Sequence, residues 1–480
     1  MHIRQPSNVT TRYEQLADEL AAAIQARVVF PGERLPSIRR LAQQKHVSIS
    51  TVLQALRLLE DRGLVEARPQ AGYFVRLRTR LLKVVPINVT PQAPAPVGVI
   101  NLLGEIISAH ATEGRVRLGA ALPMADLLPV ARLQRCVASV ARCSPALFAN
   151  YGYFEANETS LVRQILRRSL EWGHLDPEQL IVTGSCTEAI SLCLRAVTQP
   201  GDTVAIESAT FFVLLQVLES LGLKALEIPT DPMTGVSVPA LELAMREGLV
   251  KACLFIPNAN NPTGSIMPET NKRQVAALAA RYDVAVIEDD IYRELCFTSQ
   301  QPWPIKAYDV TGHVMLCSSF AKILGPAVRV GYAAAGKYAA RVAFLKTVSS
   351  GSTSCLNQAA VAEFIGGNGF ANHMRKMRRE MSRRIAAMTD AVEAAFPEQT
   401  QISSPQGGFV LWIELPSGVD ALTLHAAALK EGIAFMPGPV FSASGSLRNH
   451  LRLNCANVVD HQIQRAVIQL GALVRAETGL

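Results

Sequence analysis

The chain has 480 residues, of which 49% are apolar and 18% charged, and a net charge of +7. This length exceeds what one hydrophobic core usually supports, so two or three domains are expected, and the composition excludes a largely disordered chain. Residues 1–83 contain 14 Lys and Arg against 7 Asp and Glu, whereas residues 84–480 contain 33 of each. The positive excess therefore lies at the N-terminal end, which indicates a polyanion-binding module followed by a neutral domain.

The cysteines and the N-terminus bear on the compartment. All nine cysteines lie beyond residue 135, and none forms a Cys-x-x-Cys pair. Disulfide or zinc frameworks are therefore not expected, and no metal site is predicted. The N-terminus has no apolar signal core, and no uncharged apolar run reaches about 18 residues, the length of a membrane span. These features predict a cytoplasmic protein that does not enter the membrane.

Three helices and a hairpin are predicted within residues 1–78. Apolar residues recur at helical spacing over residues 13–24, and Ser37 and Ser48 are candidate N-caps of a second and a third helix. Two β-rich runs joined by a Pro-Gln-Ala-Gly turn follow in residues 64–76. This order predicts an α+β winged helix-turn-helix, in which the third helix enters the major groove of DNA.

The amino-acid sequence of this module resembles the GntR superfamily of bacterial regulators. The matching stretches are Pro-Gly-Glu-Arg-Leu-Pro-Ser at 31–37, Val-Ser-Ile-Ser-Thr-Val at 47–52 and Leu-Glu-Asp-Arg-Gly-Leu at 59–64. The resemblance implies DNA contacts by Arg39, Ser48, Ser50, Thr51 and, on the wing, Gly72. Ile49 stands where relatives often carry a basic residue, and its side chain suits a thymine methyl. A protein-binding trihelical module is the alternative, but the local charge favours DNA, bound largely through salt-dependent phosphate contacts.

The periodicity breaks between residues 79 and 98, where prolines accumulate at positions 86, 91, 94 and 96. Such a composition predicts an extended, semi-rigid spacer between two modules that move relative to one another. The predicted domains are therefore a DNA-binding module at 1–78, a Pro-rich linker at 79–98 and a large domain at 99–480.

In the large domain, helical stretches alternate with short apolar strands. The predicted strands are residues 179–183, 203–207, 225–229, 251–256, 284–288 and 314–316. This alternation predicts an α/β domain with a mostly parallel sheet, helices on both faces, and ligands at the carboxyl ends of the strands. Strands within 406–412 and 434–438 predict a smaller C-terminal α/β subdomain. The basic stretch 373–396 is interpreted as a helix with an apolar inner face, in preference to a second nucleic-acid surface.

Chemically distinctive residues follow these strands. Gly-Ser-Cys-Thr at 184–187 precedes a helix whose N-terminus offers N–H groups to a phosphate, and Asn-Asn-Pro-Thr-Gly occupies 260–264. Asp289 and Lys322 lie at or just past strand ends. A lysine between an apolar strand and Ile-Leu is expected to be partly desolvated, which lowers its pKa and makes it a usable Schiff-base nucleophile. Each motif alone also fits an ordinary turn, cap or surface lysine, but their joint order favours a cofactor site.

Together these motifs resemble the fold-type I aminotransferases, which use pyridoxal phosphate. The resemblance implies that Lys322 forms the internal aldimine, Asp289 pairs with the pyridine nitrogen, Asn261 and Tyr292 contact the phenolate oxygen, and Phe211 stacks on the ring. It assigns the phosphate to Ser185, Cys186, Thr187, Ser319 and Arg329. Tyr151 would reach the phosphate of a neighbouring subunit, which implies a homodimer, and Arg452 would fork a ligand carboxylate.

A GntR-type winged helix, a spacer and an aminotransferase-like domain together resemble the MocR subfamily of transcriptional regulators. This resemblance implies a regulator that senses an amino acid, an amine or pyridoxal phosphate itself through aldimine exchange at Lys322. Closure around the ligand would reposition the winged helices of a head-to-tail dimer on double-stranded operator DNA. The alternative is a catalytically active aminotransferase with an autoregulatory DNA-binding domain. Regulation is favoured as the physiological role, with transaminase chemistry latent.

Overall fold

The computed structural model describes residues 11–25, 29, 33–61, 64–68, 71–75, 93–98, 103–104, 106–108, 114–149, 159–298 and 300–478. The chain divides into two compact units, Met1–Arg80 and Leu81–Leu480. Tyr151 and residues 79–92 of the predicted linker lie outside the described residues. The domain boundaries given above stay a prediction.

The first unit contains the predicted three helices and hairpin. Its elements are α1 (Arg12–Gln25), α2 (Ile38–Lys45), α3 (Ile49–Asp61), β1 (Val65–Arg68) and β2 (Gly72–Val75). The two strands are antiparallel, with Val65 opposite Val75, and Leu35 adds to them because its amide donates to the Tyr73 carbonyl at 2.9 Å. Leu56 and Leu59 of α3 are fully buried against α1 and the hairpin. The predicted winged helix-turn-helix is confirmed.

The second unit is built on an eight-stranded mixed sheet. Its strands are β3 (Ala95–Pro96), β5 (Leu180–Thr183), β6 (Thr203–Glu207), β7 (Lys224–Ile228), β10 (Ala252–Phe255), β11 (Ala285–Asp289), β12 (Val314–Ser319) and β13 (Gly331–Ala334). The spatial order is β3-β7-β6-β10-β11-β12-β13-β5. The run from β7 to β12 is parallel, whereas β13 is antiparallel to both of its neighbours and β3 is antiparallel to β7. The predicted mostly parallel sheet is confirmed.

Helices cover both faces of this sheet. The helices of the second unit are α4 (Val130–Cys143), α5 (Thr159–Ser169), α6 (Cys186–Val197), α7 (Phe212–Ser220), α8 (Val238–Arg246), α9 (Glu269–Tyr282), α10 (Ala339–Ser349), α11 (Cys355–Gly366), α12 (Phe370–Ala395), α13 (Ala421–Lys430) and α14 (His461–Thr478). Neighbouring residues of one strand enter different cores: Leu254 packs with α6 and α7, whereas Cys253 and Phe255 pack with α8 and α9. Burial on both faces explains why these strands read as continuous apolar runs.

A smaller sheet forms the C-terminal part of the second unit. It has the order β14-β15-β18-β17, with β14 (Gln401–Ile402), β15 (Val410–Glu414), β17 (Met436–Pro437) and β18 (His450–Asn454). Two short pairs complete the strands, namely β4 (Val116–Arg117) with β16 (Ile433–Ala434) and β8 (Thr230–Asp231) with β9 (Gly235–Val236). The methionines of α12 at 374, 377, 381 and 388 are buried, so the predicted apolar inner face of this helix is confirmed.

Two strands of the large sheet are not predicted from the sequence. β13 reads Gly-Tyr-Ala-Ala, without the β-branched residues that mark the other strands, and it is a strand because it fills the gap between β12 and β5. β3 lies inside the predicted linker, where Pro96 is tolerated because β3 is the edge strand of the sheet. Val97 is buried in the core of the second unit. This end of the predicted linker therefore belongs to the second unit.

Within the described part of the chain, no helix combines the length and the apolar character that a membrane span requires. The cytoplasmic location stays a prediction.

Gly331 offers a test of the packing between β13 and the first turn of α6. A Cβ on Gly331 would lie 2.6 Å from the carbonyl carbon of Ser185 and 2.9 Å from the carbonyl oxygen of Ser318. Because both neighbours are backbone atoms, we expect Gly331→Ala to lower the free energy of unfolding by about 1–3 kcal/mol, as overpacking does. The measurement is urea unfolding of the full chain.

Gly173→Ala is the control, since nothing lies within 4 Å of a Cβ at that position. Equal unfolding midpoints for the two variants would contradict the close approach of β13 to α6.

Candidate cofactor site and DNA-binding surface

Residues predicted to form the cofactor site meet at the carboxyl edge of the large sheet. Asp289 is the last residue of β11, Asn261 lies in the turn after β10, and Lys322 follows the end of β12. Arg452 comes from β18 of the smaller sheet. Parallel strands end at the same edge, so residues far apart in sequence are brought together there.

Lys322 lies in a partly buried position between aromatic rings. Its Nζ is 5.9 Å from the centre of the Tyr292 ring and 5.8 Å from that of Phe409, and it donates to the carbonyl oxygen of Ala121 at 2.8 Å. Burial, together with the positive charge of Arg452, lowers the pKa of Lys322 to about 8. Near neutral pH about a tenth of the amine is therefore uncharged and available as a nucleophile, far more than in an ordinary lysine.

Asp289 is buried beside the first turn of α6. Its Oδ1 accepts from the Cys186 thiol at 3.3 Å and from the Ile291 amide at 3.2 Å. Burial raises the pKa of Asp289 to about 6. Tyr292 follows in the same turn, where burial raises the pKa of its phenol and keeps it a hydrogen-bond donor at neutral pH.

Arg452 is the largest fully buried side chain among the described residues. Its Nη1 donates to Asn261 Oδ1 at 2.7 Å and its Nη2 to the Gly119 carbonyl at 2.5 Å. The guanidinium also lies 4.9 Å from the centre of the Phe441 ring. Burial lowers the pKa of Arg452 to about 10, which leaves it charged at neutral pH.

Two buried donors at this site lack a protein acceptor. Arg452 Nε and Asn261 Nδ2 make no hydrogen bond within the described residues. Buried polar groups are rarely left unpaired, so these donors call for acceptor atoms of a bound group. A phenolate oxygen suits the amide, a carboxylate suits the guanidinium, and Asp289 suits a protonated pyridine nitrogen. The residues present therefore fit pyridoxal phosphate and an amino-acid ligand.

Residues assigned to the phosphate lie around the N-terminus of α6. Ser185 is the N-cap, and its hydroxyl accepts from the Glu188 amide at 3.0 Å. Thr187 and Arg329 are exposed, and Ser319 is buried with its hydroxyl accepting from the Ala321 amide at 3.2 Å. No described contact joins the side chains of Thr187, Arg329 or Phe211 to Lys322 or Asp289.

Buried hydrogen bonds hold the two turns that carry Asn261 and Asp289. Asp290 Oδ2 accepts from Arg293 Nε at 2.6 Å and its Oδ1 from Asn258 Nδ2 at 2.8 Å, while Lys272 Nζ donates to Asn258 Oδ1 at 2.6 Å. Because these buried groups are hydrogen-bonded to one another, the two turns form a firmly held support for the site.

The buried carboxyl group of Glu207 also supports the turn that carries Asn261. Glu207 Oε1 accepts from the Ile256 amide at 2.6 Å and from Asn260 Nδ2 at 3.3 Å. Burial raises the pKa of Glu207 to about 8.

Several residues that contact the site cations are not predicted from the sequence. The carbonyls of Gly119 and Ala121 and the rings of Phe409 and Phe441 contact the two site cations, as described above. Only the run of small residues from Gly119 to Ala121 hints at a close approach. The thiol of Cys186, assigned to the phosphate by resemblance, lies against Asp289 in the structure.

The first unit presents the predicted DNA-binding residues at the start of α3. Ser48 caps this helix by accepting from the Thr51 amide at 3.1 Å, and its hydroxyl lies 2.7 Å from that of Ser50. Ile49 is 51% exposed beside them, and Arg39 on α2 is also exposed. These side chains are free to enter a groove, as the third helix of a winged helix-turn-helix does.

The wing has a backbone that favours glycine. Gly72 has a φ of +105°, and a Cβ there would lie 3.1 Å from Arg34 Nε. Arg68 on β1 pairs with Glu66 and lies 4.4 Å from the centre of the Phe74 ring. Gly72 is thus required by the turn, and any contact it makes to DNA is through its backbone.

Two protein families match the chain. The gntR family of bacterial regulatory proteins matches residues 12–75, and the family "Aminotransferase class I and II" matches residues 149–470. The HTH-type transcriptional regulator YjiR of Escherichia coli is 37% identical over 97% of this chain and 99% of its own length. A second regulator of Escherichia coli, YdcR, is 35% identical over the same shares.

Solved aminotransferases share the fold of the second unit. Kynurenine aminotransferase of Pyrococcus horikoshii, crystallised with pyridoxamine phosphate, has a TM-score of 0.73 and 26% identity, covering 78% of this chain and 94% of its own. The α-aminoadipate aminotransferase LysN of Thermus thermophilus, complexed with N-(5'-phosphopyridoxyl)-L-leucine, has a TM-score of 0.70 and 25% identity over 80% of this chain and 100% of its own.

The fold and the site define a two-domain regulator with a GntR helix-turn-helix and a fold-type I aminotransferase domain. The chain belongs to the MocR-type family of transcriptional regulators, as its likeness to YjiR and YdcR over the whole length requires. Both the predicted resemblance and the predicted fold class are confirmed.

The lowered pKa of Lys322 predicts how fast the apoprotein reacts with pyridoxal phosphate at each pH. Only the uncharged amine attacks an aldehyde, so the rate should rise with pH through a midpoint near 8. Arg452→Met should move the midpoint upward, because it removes a positive charge that disfavours protonated Lys322. Stopped-flow absorbance of the long-wavelength band measures the rate.

Lys322→Ala should give no such band, while Lys337→Ala, at a half-exposed lysine paired with Asp283, should behave like the wild type. A midpoint close to the ordinary lysine value of 10.5 would contradict the desolvation of Lys322.

Arg39 provides a test of the DNA-binding surface. If Arg39 contacts a phosphate, Arg39→Ala should weaken binding to different DNA fragments by similar factors. It should also reduce the magnitude of the slope of log K against log salt concentration by about one. Fluorescence anisotropy at several salt concentrations measures both. Arg246→Ala, which removes an exposed arginine from the second unit, is the control. An unchanged salt dependence in Arg39→Ala would argue against the contact.

Proposed function

We propose that this transcription regulator changes its affinity for operator DNA when an amino acid or an amine binds at Lys322. The cofactor of the second unit is pyridoxal phosphate. When bound, it supplies an aldehyde that condenses with primary amines and a pyridinium ring that withdraws electrons. Lys322 would hold it covalently, and Arg452 would take the carboxylate of an amino-acid ligand.

Other residues would hold the cofactor in place. Asp289 would keep the ring nitrogen protonated, and Asn261 and Tyr292 would donate to the phenolate oxygen. Phosphate binding would fall to Ser185, Thr187, Ser319 and Arg329 around the N-terminus of α6, where backbone N–H groups also point outward. Phe211 would stack on the ring, and Tyr151 would come from a neighbouring subunit.

The observation that carries the proposal is a backbone segment that accepts hydrogen bonds from both cations of the site, Lys322 and Arg452. This strap, residues 118–122, accepts from Arg452 at the Gly119 carbonyl and from Lys322 at the Ala121 carbonyl. Asn454 holds its two ends, with its amide donating to the Leu118 carbonyl at 2.6 Å and its side chain to that of Leu122 at 3.4 Å.

The cofactor and an amino-acid ligand would each compete with the strap for one cation. The cofactor would take Lys322 from the Ala121 carbonyl, and the carboxylate of an amino acid would take the Arg452 donor that now reaches Gly119. The ligand therefore prefers an arrangement in which the strap has moved, which is the differential affinity that coupling requires. Residues 99–117 connect the strap to the predicted linker, so its movement has a covalent route toward the DNA-binding unit.

A working aminotransferase is the second candidate. Lys322, Asp289 and Arg452 are the groups that transamination of an amino acid also needs. Turnover in addition requires re-amination of the cofactor by a second amino acid and release of the keto acid. A third reading makes pyridoxal phosphate itself the effector, since Lys322 must also leave Ala121 to hold the cofactor.

We also propose that the chain assembles into a homodimer. A head-to-tail homodimer, in which the first unit of one chain lies over the second unit of the other, would present two winged helices to two half-sites. The proposed boundaries are 1–78, 79–98 and 99–480, with β3 at the end of the linker paired to the large sheet, and the proposed location is the cytoplasm. Analytical ultracentrifugation of the loaded chain tests the dimer.

DNA binding in the presence of candidate ligands is the central test. The loaded full chain is titrated onto the DNA upstream of its own gene, with the standard amino acids, ω-amino acids and diamines added in turn. At least one amine should shift the DNA affinity by about fivefold or more, the lower range of measured couplings. Hydrogen exchange at the Leu118 amide, which donates to the Ala434 carbonyl at 2.8 Å, should speed up with the same amine, because movement of the strap breaks this bond.

Variants separate the candidates. Lys322→Ala should abolish the ligand effect, Arg452→Met should weaken it only for ligands with a carboxylate, and Lys337→Ala should preserve it. Steady formation of a new amino acid from an added keto acid, without any change in DNA affinity, would support the aminotransferase instead. A shift on loading with pyridoxal phosphate alone, with no further effect of amines, would identify the cofactor as the effector.

A further inference from the structure

Cys186 occupies a position that its assignment to the phosphate does not explain. It is the first residue of α6, its side chain is buried, and its thiol donates to Asp289 Oδ1 at 3.3 Å. The backbone N–H of Cys186 remains at the helix N-terminus, where a phosphate would bind. Its side chain and its backbone therefore face different parts of the cofactor site.

The hydrogen bonds to Asp289 are unequal between its two oxygens. Oδ1 accepts from the Cys186 thiol and from the Ile291 amide at 3.2 Å, whereas Oδ2 accepts no hydrogen bond from the described residues. One oxygen is held by protein donors and the other is free for a ligand donor. A carboxylate fixed at one oxygen cannot rotate without losing both bonds.

The surroundings of Asp289 leave the thiol as its only side-chain hydrogen-bond donor among the described residues. Behind it, Cys317 of β12 is its register partner, and Cys193, two turns after Cys186 on α6, lies 3.7 Å from Cys317 between sulfur atoms. The charges that act on Asp289 are those of Asp290 and Lys322. Neither of these side chains makes a hydrogen bond to it.

The position of the thiol is fixed by the backbone. A Cβ on Gly331 would lie 3.0 Å from the Cys186 amide, so β13 packs directly against this turn, and the Ser185 cap holds the turn from the other side. The Cα of Cys186 therefore cannot move away from Asp289 without moving α6.

We propose that Cys186 is a positioning residue whose thiol orients Asp289 so that Oδ2 faces the ring nitrogen of the cofactor. The inference rests on the proposed role of Asp289. In this arrangement the Cys186 side chain acts on the ring and not on the phosphate. Donation to Oδ1 also favours the ionised carboxylate, which keeps the ring nitrogen protonated.

Paired cofactor analogues test this assignment. Apoprotein is titrated with pyridoxal phosphate and, separately, with pyridoxal, which lacks the phosphate. Cys186→Ala should weaken both by the same factor, about fivefold, as expected for one ordinary hydrogen bond from a weak donor. Cys186→Ser keeps a donor of similar size and should restore most of the affinity. A loss confined to pyridoxal phosphate would assign the side chain to the phosphate and overturn the proposal.

A spectroscopic readout separates orientation from simple packing. In Cys186→Ala, Asp289 becomes more basic and the ring nitrogen less protonated, so the pH at which the long-wavelength band disappears should rise by about half a unit. Cys253→Ala, at a fully buried cysteine in the core on the other face of the sheet, should change stability but neither the band nor the affinity.

A double-mutant cycle with Asp289→Asn completes the test. The effect of Cys186→Ala should shrink in the Asp289→Asn background, because the two side chains act as one unit. Full additivity, or a spectrum unchanged from the wild type in Cys186→Ala, would show a packing role only. Cofactor loading of the wild type is measured independently of DNA, so failure here differs from failure of the proposed regulation.

Discussion

The need to pair buried charges at the carboxyl edge of the large sheet controls this structure. Lys322, Arg452 and Asp289 lie there within a shell of aromatic rings and apolar strands. A charge removed from water costs several kcal/mol unless hydrogen bonds replace its hydration. Backbone carbonyls, an amide and a thiol supply those hydrogen bonds. A bound group that makes stronger hydrogen bonds to the same charges would release these protein partners.

The site combines rigid and releasable parts. The turns that carry Asn261 and Asp289 are fastened by buried hydrogen bonds: Arg293 and Asn258 donate to Asp290, and Lys272 donates to Asn258. The strap is held at the same site by hydrogen bonds that its carbonyls accept from Arg452 and Lys322. Because the cofactor and its ligand would need these same two cations, we propose that the strap is where ligand binding converts into movement. The two turns would keep the cofactor in place.

The contrast between held turns and a releasable strap suits a fold shared with enzymes to the proposed regulation. A fold-type I scaffold does not by itself imply catalysis, since function is decided by the site and by what is joined to it. Here a winged helix and a linker precede, in the same chain, the domain whose groups are suited to binding an amino acid. A tight and slowly released ligand is a disadvantage for turnover but an advantage for a sensor.

The amino-acid sequence by itself determined the class of the protein. Charge asymmetry, helical periodicity and turn residues predicted the winged helix, and apolar runs followed by Ser-Cys-Thr, Asn-Pro-Thr-Gly, Asp and Lys predicted the parallel sheet and its cofactor edge. These features are local, because each depends on residues within a few positions of one another. The strand β13, which lacks such a signal, was decided by its neighbours β12 and β5.

Only the tertiary structure decided which groups face one another across the site. The thiol of Cys186 and Asp289 are 103 positions apart, Lys322 and Ala121 are 201, and Arg452 and Gly119 are 333. In the last two pairs the partner is a backbone carbonyl, which every residue type possesses. No pattern of side chains can mark such a contact, so it becomes visible only once the chain has folded.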